Sequence, residues 1–152
     1  MPKLARPGWW SRMTERARAR MLAPTDHRSA TAHHRQRLGA EGERVAAQFL
    51  TSAGYRVVER NVRFPVGEVD VIAWDGQTLC FVEVRSTSSE EWGGPLASVT
   101  ERKRRRLIRA AQWYLQGLRE LPPYTRFDVV AVRWDGSRQP TVEHIRGAFD
   151  GS

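Results

Sequence analysis

The 152-residue chain has one cysteine, Cys80, so no disulfide can form within it. That excludes a small fold stapled by disulfides and fits a reducing compartment. No apolar stretch approaches the ~20 residues of a membrane span, and the N-terminal segment lacks the uninterrupted apolar core of a secretory signal. The expected location is the cytoplasm, with no membrane partner. Lysine is scarce too: Lys3 and Lys103 are the only two among 25 cationic residues. Gly39-x-x-Gly42 is too short for either nucleotide-binding fingerprint, and His27, His33, His34 and His144 lack a zinc spacing with cysteine.

What the chain does have is positive charge, placed unevenly. Nine of its basic residues fall within residues 1–37 against only Glu15 and Asp26, so most of the +8 net charge lies there. Such a balance points to a polyanionic partner. Pro2, Pro7, Gly8 and Pro24 break any long helix, so 1–37 reads as a disordered basic extension. Residues 38–152 suffice for one domain with a hydrophobic core.

Within that domain, Leu38, Gly42, Val45, Ala46, Phe49, Leu50 and Ala53 recur at helical spacing, and Gly54 follows as a stop. Tyr55 to Arg63, Val69 to Ala73 and Thr78 to Val84 read as three antiparallel strands, the last two joined at Asp75-Gly76. Ser86 to Leu96 is a loop. Ser98 to Glu101 matches a capping box that opens a second helix, with Leu107, Ala111, Tyr114, Leu115 and Leu118 as its apolar stripe. Phe127 to Trp134 and Thr141 to Ile145 supply two more strands. A strand, helix, strand order across the second helix predicts a right-handed parallel crossover, hence an α/β domain with a mixed sheet.

The hairpin is the chemically suggestive segment. If its loop is Asp75-Gly76, cross-strand partners set Glu68 opposite Glu83 and Asp70 opposite Phe81. Alternation then places Val69, Val71, Ala73, Cys80, Val82 and Val84 on an apolar face, and Glu68, Asp70, Glu83 and Arg85 on the other. Clustered carboxylates repel one another unless a cation lies between them, and a hard divalent ion is one solution. An ordinary hairpin with solvated acids is the other. Spacing alone does not separate the two.

Gly67-Glu68-Val69-Asp70 followed by Phe81-Val82-Glu83-Val84-Arg85 resembles the PD-(D/E)xK nuclease superfamily. Together with Gly39 to Glu43, Gly54-Tyr55, Arg60-Asn61, Val99-Thr100 with Lys103, Arg126 to Val130 and His144 to Phe149, nearly all of residues 38–149 resembles the YraN-like family of predicted endonucleases. The resemblance implies a restriction-endonuclease-like α/β fold related to Holliday-junction resolvases, and a divalent-metal-dependent nuclease using Mg²⁺ or Mn²⁺. Its substrate would be DNA, including branched or nicked structures. Asp70 and Glu83 would be the metal ligands, with the Val84 carbonyl a third contact and Glu43 an auxiliary acid from the first helix. Resolvase-like relatives tend to be dimers, which raises a homodimer here.

The motif lysine is Arg85 in this chain. Arginine can hold phosphate and stabilise charge but cannot accept a proton from water. Three readings stand: metal-activated water with Arg85 supplying electrostatics, Lys103 taking over the lysine's part, or a degenerate site that binds without cutting. Lys103 shares a helical face with Leu107, Ala111 and Tyr114, which aims it inward. Arg102, Arg105, Arg106 and Arg109 cover the helix's outer and flanking faces and form a candidate phosphate track. Trp92 could serve in a flap, Asp128 could approach the site or bond nearby backbone, and Cys80 reads as core.

Overall fold

The computed structural model describes residues 30–88 and 94–151, with side chains from Arg37 onward. Helix α1 (Ala30–Ser52) leads into strands β1 (Arg56–Phe64), β2 (Gly67–Asp75) and β3 (Thr78–Thr87); helix α2 (Glu101–Gln116) then connects to β4 (Tyr124–Arg133) and β5 (Thr141–Phe149). The sheet runs in the order β1-β2-β3-β4-β5, antiparallel except for the β3–β4 pair, which is parallel as the helical crossover requires. A five-stranded mixed sheet with two helices is the α/β class expected from the sequence. α1 starts at Ala30, eight residues before Leu38 and inside the segment read as an extension, because neither proline nor glycine interrupts it between Pro24 and Gly39. No helix among the described residues is long and apolar enough to cross a membrane.

The helices cover opposite faces of the sheet. Ala46 and Leu50 of α1 pack with Val71, Ala73, Cys80, Val82, Val84, Val130 and Val132, while Leu107, Ala110, Ala111 and Tyr114 of α2 pack with Ile72, Leu79, Phe81 and Phe127. Val69 joins the α2 side, not the Val71 face assigned by strict alternation. The alternation slips at Asp70, where the β2–β3 ladder ends. A second correction concerns the hairpin register: Asp75 pairs with Thr78 and Val71 with Val82, so the loop is Gly76-Gln77 and every partner moves by two residues. Gly76 takes the first loop position with φ of 57°, a left-handed conformation that glycine accepts without strain. A two-residue shift preserves the faces but brings Glu83 level with Asp70 instead of Glu68. The N-cap of α2 is Thr100, whose hydroxyl accepts from the Lys103 N–H at 3.3 Å, and not Ser98. Ser98 is already engaged, donating to the Pro95 carbonyl at 2.7 Å.

Asp128 is fully buried and lies outside the Asp70 cleft. Its two oxygens accept from Arg126 Nε at 2.7 Å and Nη2 at 2.9 Å, from the Gly147 N–H at 3.0 Å, and meet His144 Nε2 at 2.9 Å. Arg126 also donates to Tyr55 at 2.8 Å and Asp75 at 3.0 Å, and Arg146 reaches the same Asp75 oxygen at 2.9 Å. One network thus ties β4, β5, the β2–β3 turn and Tyr55 in the link from α1 to β1. Burial alone would raise the Asp128 carboxyl, but the bonds from His144, Arg126 and Gly147 overcome it and bring it down to about 2.

Asp128→Asn is expected to destabilise the fold by roughly 3–5 kcal/mol at neutral pH, because it strips the charge from a buried pair. A depressed carboxyl stabilises the native state above its unfolded pKa and loses that contribution as pH falls through its folded value. The gap between the two chains, read from urea midpoints, should therefore narrow by roughly 2 kcal/mol from about pH 5 toward pH 2. Gly67→Ala is expected to cost about 1–3 kcal/mol, since a Cβ there would run into the Arg106 carbonyl of α2; the urea midpoint checks this as well.

Candidate metal centre

Two close approaches bring both helices to one end of the sheet. A Cβ on Gly42 of α1 would stand 2.8 Å from the Ser86 side chain on β3, and Gly67 lets β2 meet the α2 backbone. Between the helices opens a cleft of about 570 Å³ lined by Leu38, Gly39, Glu43, Glu68, Asp70, Glu83, Val84, Arg85, Ser86, Lys103, Arg106 and Leu107. Glu43, Asp70, Glu83, Val84, Arg85 and Lys103, singled out on the sequence, all meet here. Of the four α2 arginines read as a phosphate track, Arg106 alone lines the cleft. Arg102, Arg105 and Arg109 are exposed beyond it, and Arg105 pairs with Glu101 at 3.2 Å. The Trp92 flap lies outside the described residues.

The cleft exists because β2 and β3 stop pairing. Past Val71 and Val82, the Val84 N–H donates at 2.8 Å to Asp70 Oδ2 instead of to a ladder carbonyl, while β3 remains paired with β4 as far as Thr87. A strand residue directs its N–H and C=O to the same side, so the Val84 carbonyl faces the opened edge as well. Asp70 hydrogen-bonds Glu83, which stands 3.8 Å from Arg85 Nη1. Arg85 does not point freely into the cleft: its Nε donates to Ser98 Oγ at 3.2 Å, which ties β3 to the segment leading into α2.

The charges are strained in a consistent direction. Desolvation, then Glu83, drives Asp70 well above the usual carboxylate range, against the pull of the Val84 N–H. Desolvation also raises Glu83, opposed by Arg85, Asp70 and Lys103, and raises Glu43, opposed by a hydrogen bond to Asn61 and by Arg60. Lys103 is lowered by desolvation and by Arg85. A cation placed between acids that burial and like charge push toward neutrality would relieve their repulsion. Among the described residues no three His, Cys, Asp or Glu side chains group tightly enough to hold an ion by themselves. The donors to hand are the Asp70 and Glu83 carboxylates with the Val84 carbonyl. That set fits Mg²⁺, which takes one or two carboxylates and fills its octahedron with water and phosphate oxygens.

Asn61 and Ser98 belong to the site but were not singled out for it. Asn61 has φ of 51°, the one left-handed non-glycine among the described residues, and falls between the pairs Arg60–Val71 and Val62–Val69, level with Asp70. Its signal was present: asparagine is disfavoured within a Val-rich strand but tolerates the left-handed region. Cys80, as expected, is buried core, with its thiol pushed up to about 12 by desolvation and by Asp128.

Fold and cleft together define a restriction-endonuclease-like α/β domain carrying an acidic pocket at the splayed end of its sheet. The profile of the uncharacterised protein family UPF0102 matches residues 42–132, and the chain belongs to that family. It is 47% identical over 118 residues to the UPF0102 protein of Desulfosudis oleivorans, covering 78% of this chain and 94% of that one. It is 52% identical over 114 residues to the UPF0102 protein of Symbiobacterium thermophilum, covering 75% and 97%.

If the carboxylates are held apart from their counter-ion, Mg²⁺ or Mn²⁺ should raise the melting temperature at pH 8, by the equivalent of about 2.7 kcal/mol at a free ion concentration near 100 Kd. Groups with raised folded pKa values destabilise the native state once ionised, so the rise should shrink as pH falls and they take up protons. Asp70→Asn should raise the metal-free melting temperature at pH 8 and abolish the ion-dependent increase. Thermal unfolding followed by circular dichroism checks both.

Proposed function

We propose that the protein is a divalent-metal-dependent nuclease that hydrolyses phosphodiester bonds in DNA, with Asp70 and Glu83 holding the ion. One observation carries this reading: the Val84 N–H fixes Asp70 beside Glu83 in a cleft that also receives Glu43 from α1 and Lys103 and Arg106 from α2. Bound there, Mg²⁺ or Mn²⁺ would polarise the scissile phosphate and acidify a water. The chain supplies the rest. Asp70, immobilised by Val84, and Glu83 would hold the ion, with the Val84 carbonyl facing the same edge. Arg106 on the cleft wall attracts the phosphate, and Arg85, braced by Ser98, adds fixed positive charge beside Glu83. Lys103, carried into the cleft by α2 with its pKa lowered by desolvation and by Arg85, takes over the lysine's part that Arg85 cannot fill. Glu43, with Asn61 as its partner, orients the attacking water.

Arg85 in place of the motif lysine favours a second reading, a non-catalytic DNA-binding module whose degenerate site still binds. The two separate in one experiment. Purified chain is incubated with Mg²⁺ or Mn²⁺ and with linear, nicked, single-stranded and four-way DNA. Cleavage should be lost in Asp70→Ala and fall about 10²- to 10⁴-fold in Lys103→Ala, the range of a general acid or base. Cleavage that persists in Asp70→Ala refutes the site. Salt-sensitive binding without cleavage in either metal selects the binding module.

A further inference from the structure

We infer that Arg60 and Arg63 of β1 form a second phosphate-binding wall facing the basic side of α2, so that a DNA strand crosses the cleft and is held on both sides of the carboxylate pair. The inference rests on the nucleic-acid reading above and adds to it where the strand runs. β1 is the edge of the sheet beside β2, and its register sets Arg60 opposite Val71 and Arg63 opposite Glu68. The two arginines therefore bracket the level at which Asp70 lies. Arg63 reaches Glu68, a cleft-lining residue, at 3.5 Å, and both guanidiniums act on the Glu43 carboxylate.

Arginines on an edge strand also discourage sheet-to-sheet association. The Arg60 to Arg63 segment differs at Asn61, whose left-handed φ of 51° is unusual inside a strand. The left-handed Asn61 between them bends the edge at the level of Asp70 and hydrogen-bonds Glu43. Both arginines act on Glu43, so two cations stand beside the α1 side of the cleft without lining it. Lys103 and Arg106 stand on the side of α2. An acidic centre flanked by cations on both sides suits an internal stretch of phosphates, because a strand end would use only one flank. Arg60 is exposed and Arg63 partly so, which leaves both guanidiniums within reach of a phosphate backbone.

Binding of a fluorescein-labelled DNA strand and of its duplex, measured by anisotropy in EDTA over a salt series, tests the second wall without depending on cleavage. Each phosphate contact contributes about 0.7 to 0.9 to the slope of log K against log salt. Arg60→Ala and Arg106→Ala should each flatten the slope by about that amount, and Arg60→Ala with Arg63→Ala by more. Arg119→Ala, on an exposed residue beyond the far end of α2, should leave the slope unchanged. Circular dichroism confirms that each variant is folded, and Arg60→Lys should retain the slope. If Arg60→Ala behaves like Arg119→Ala while Arg106→Ala flattens the slope, the second wall is wrong and the nucleic-acid reading survives. If the unaltered chain shows no salt-sensitive binding, both fall.

Discussion

Asp128 is a carboxylate with no exposed surface on which the arrangement of the sheet depends. A buried charge is tolerable only when its lone pairs are filled, and Arg126, His144 and the Gly147 N–H fill them. Because Arg126 is shared with Tyr55 and Asp75, the requirement reaches across the sheet. It holds β5 to β4, seats the end of α1, and anchors the turn between β2 and β3. His144 packs edge-on against Phe49 and Tyr55, so the polar knot is walled by aromatic rings.

Asp70 is the counterpart that the fold leaves strained. Burial raises both carboxyls, but Asp70 has a single backbone donor and three acidic neighbours to set against it, so it moves up where Asp128 moves down. The same residue type takes opposite directions because one environment supplies donors and the other supplies like charge. The knot lies toward the turn of the hairpin and the strained cluster toward its open end, where the β2–β3 ladder stops. Gly42 and Gly67 make this possible by letting both helices close over that open end.

Arg85 shows how tertiary contacts alter what a motif residue does. Two residues after Glu83, it shares that residue's face of β3. In the fold its Nε is taken by Ser98, which makes it a brace between the strand bearing Glu83 and the segment that positions α2. Lys103, carried on α2, then reaches the cleft from the other side.

The sequence by itself determined the elements, their order, the parallel crossover and most of the cleft residues. Helical and strand periodicities, the Gly67 to Arg85 motif and the scarcity of lysine are local signals that do not depend on packing. Tertiary structure decided the rest. The hairpin register shifted by two because Gly76 took the first loop position, and that placed Glu83 level with Asp70. The caps differed because Ser98 donates back to the Pro95 carbonyl and accepts from Arg85, a partner 13 residues away that only packing supplies. Asp128 became the hub of the fold because Arg126 and His144, 18 residues apart, meet only when β4 pairs with β5. Alternation tells which face a side chain takes, but partners distant in sequence are chosen by the packing that makes them neighbours.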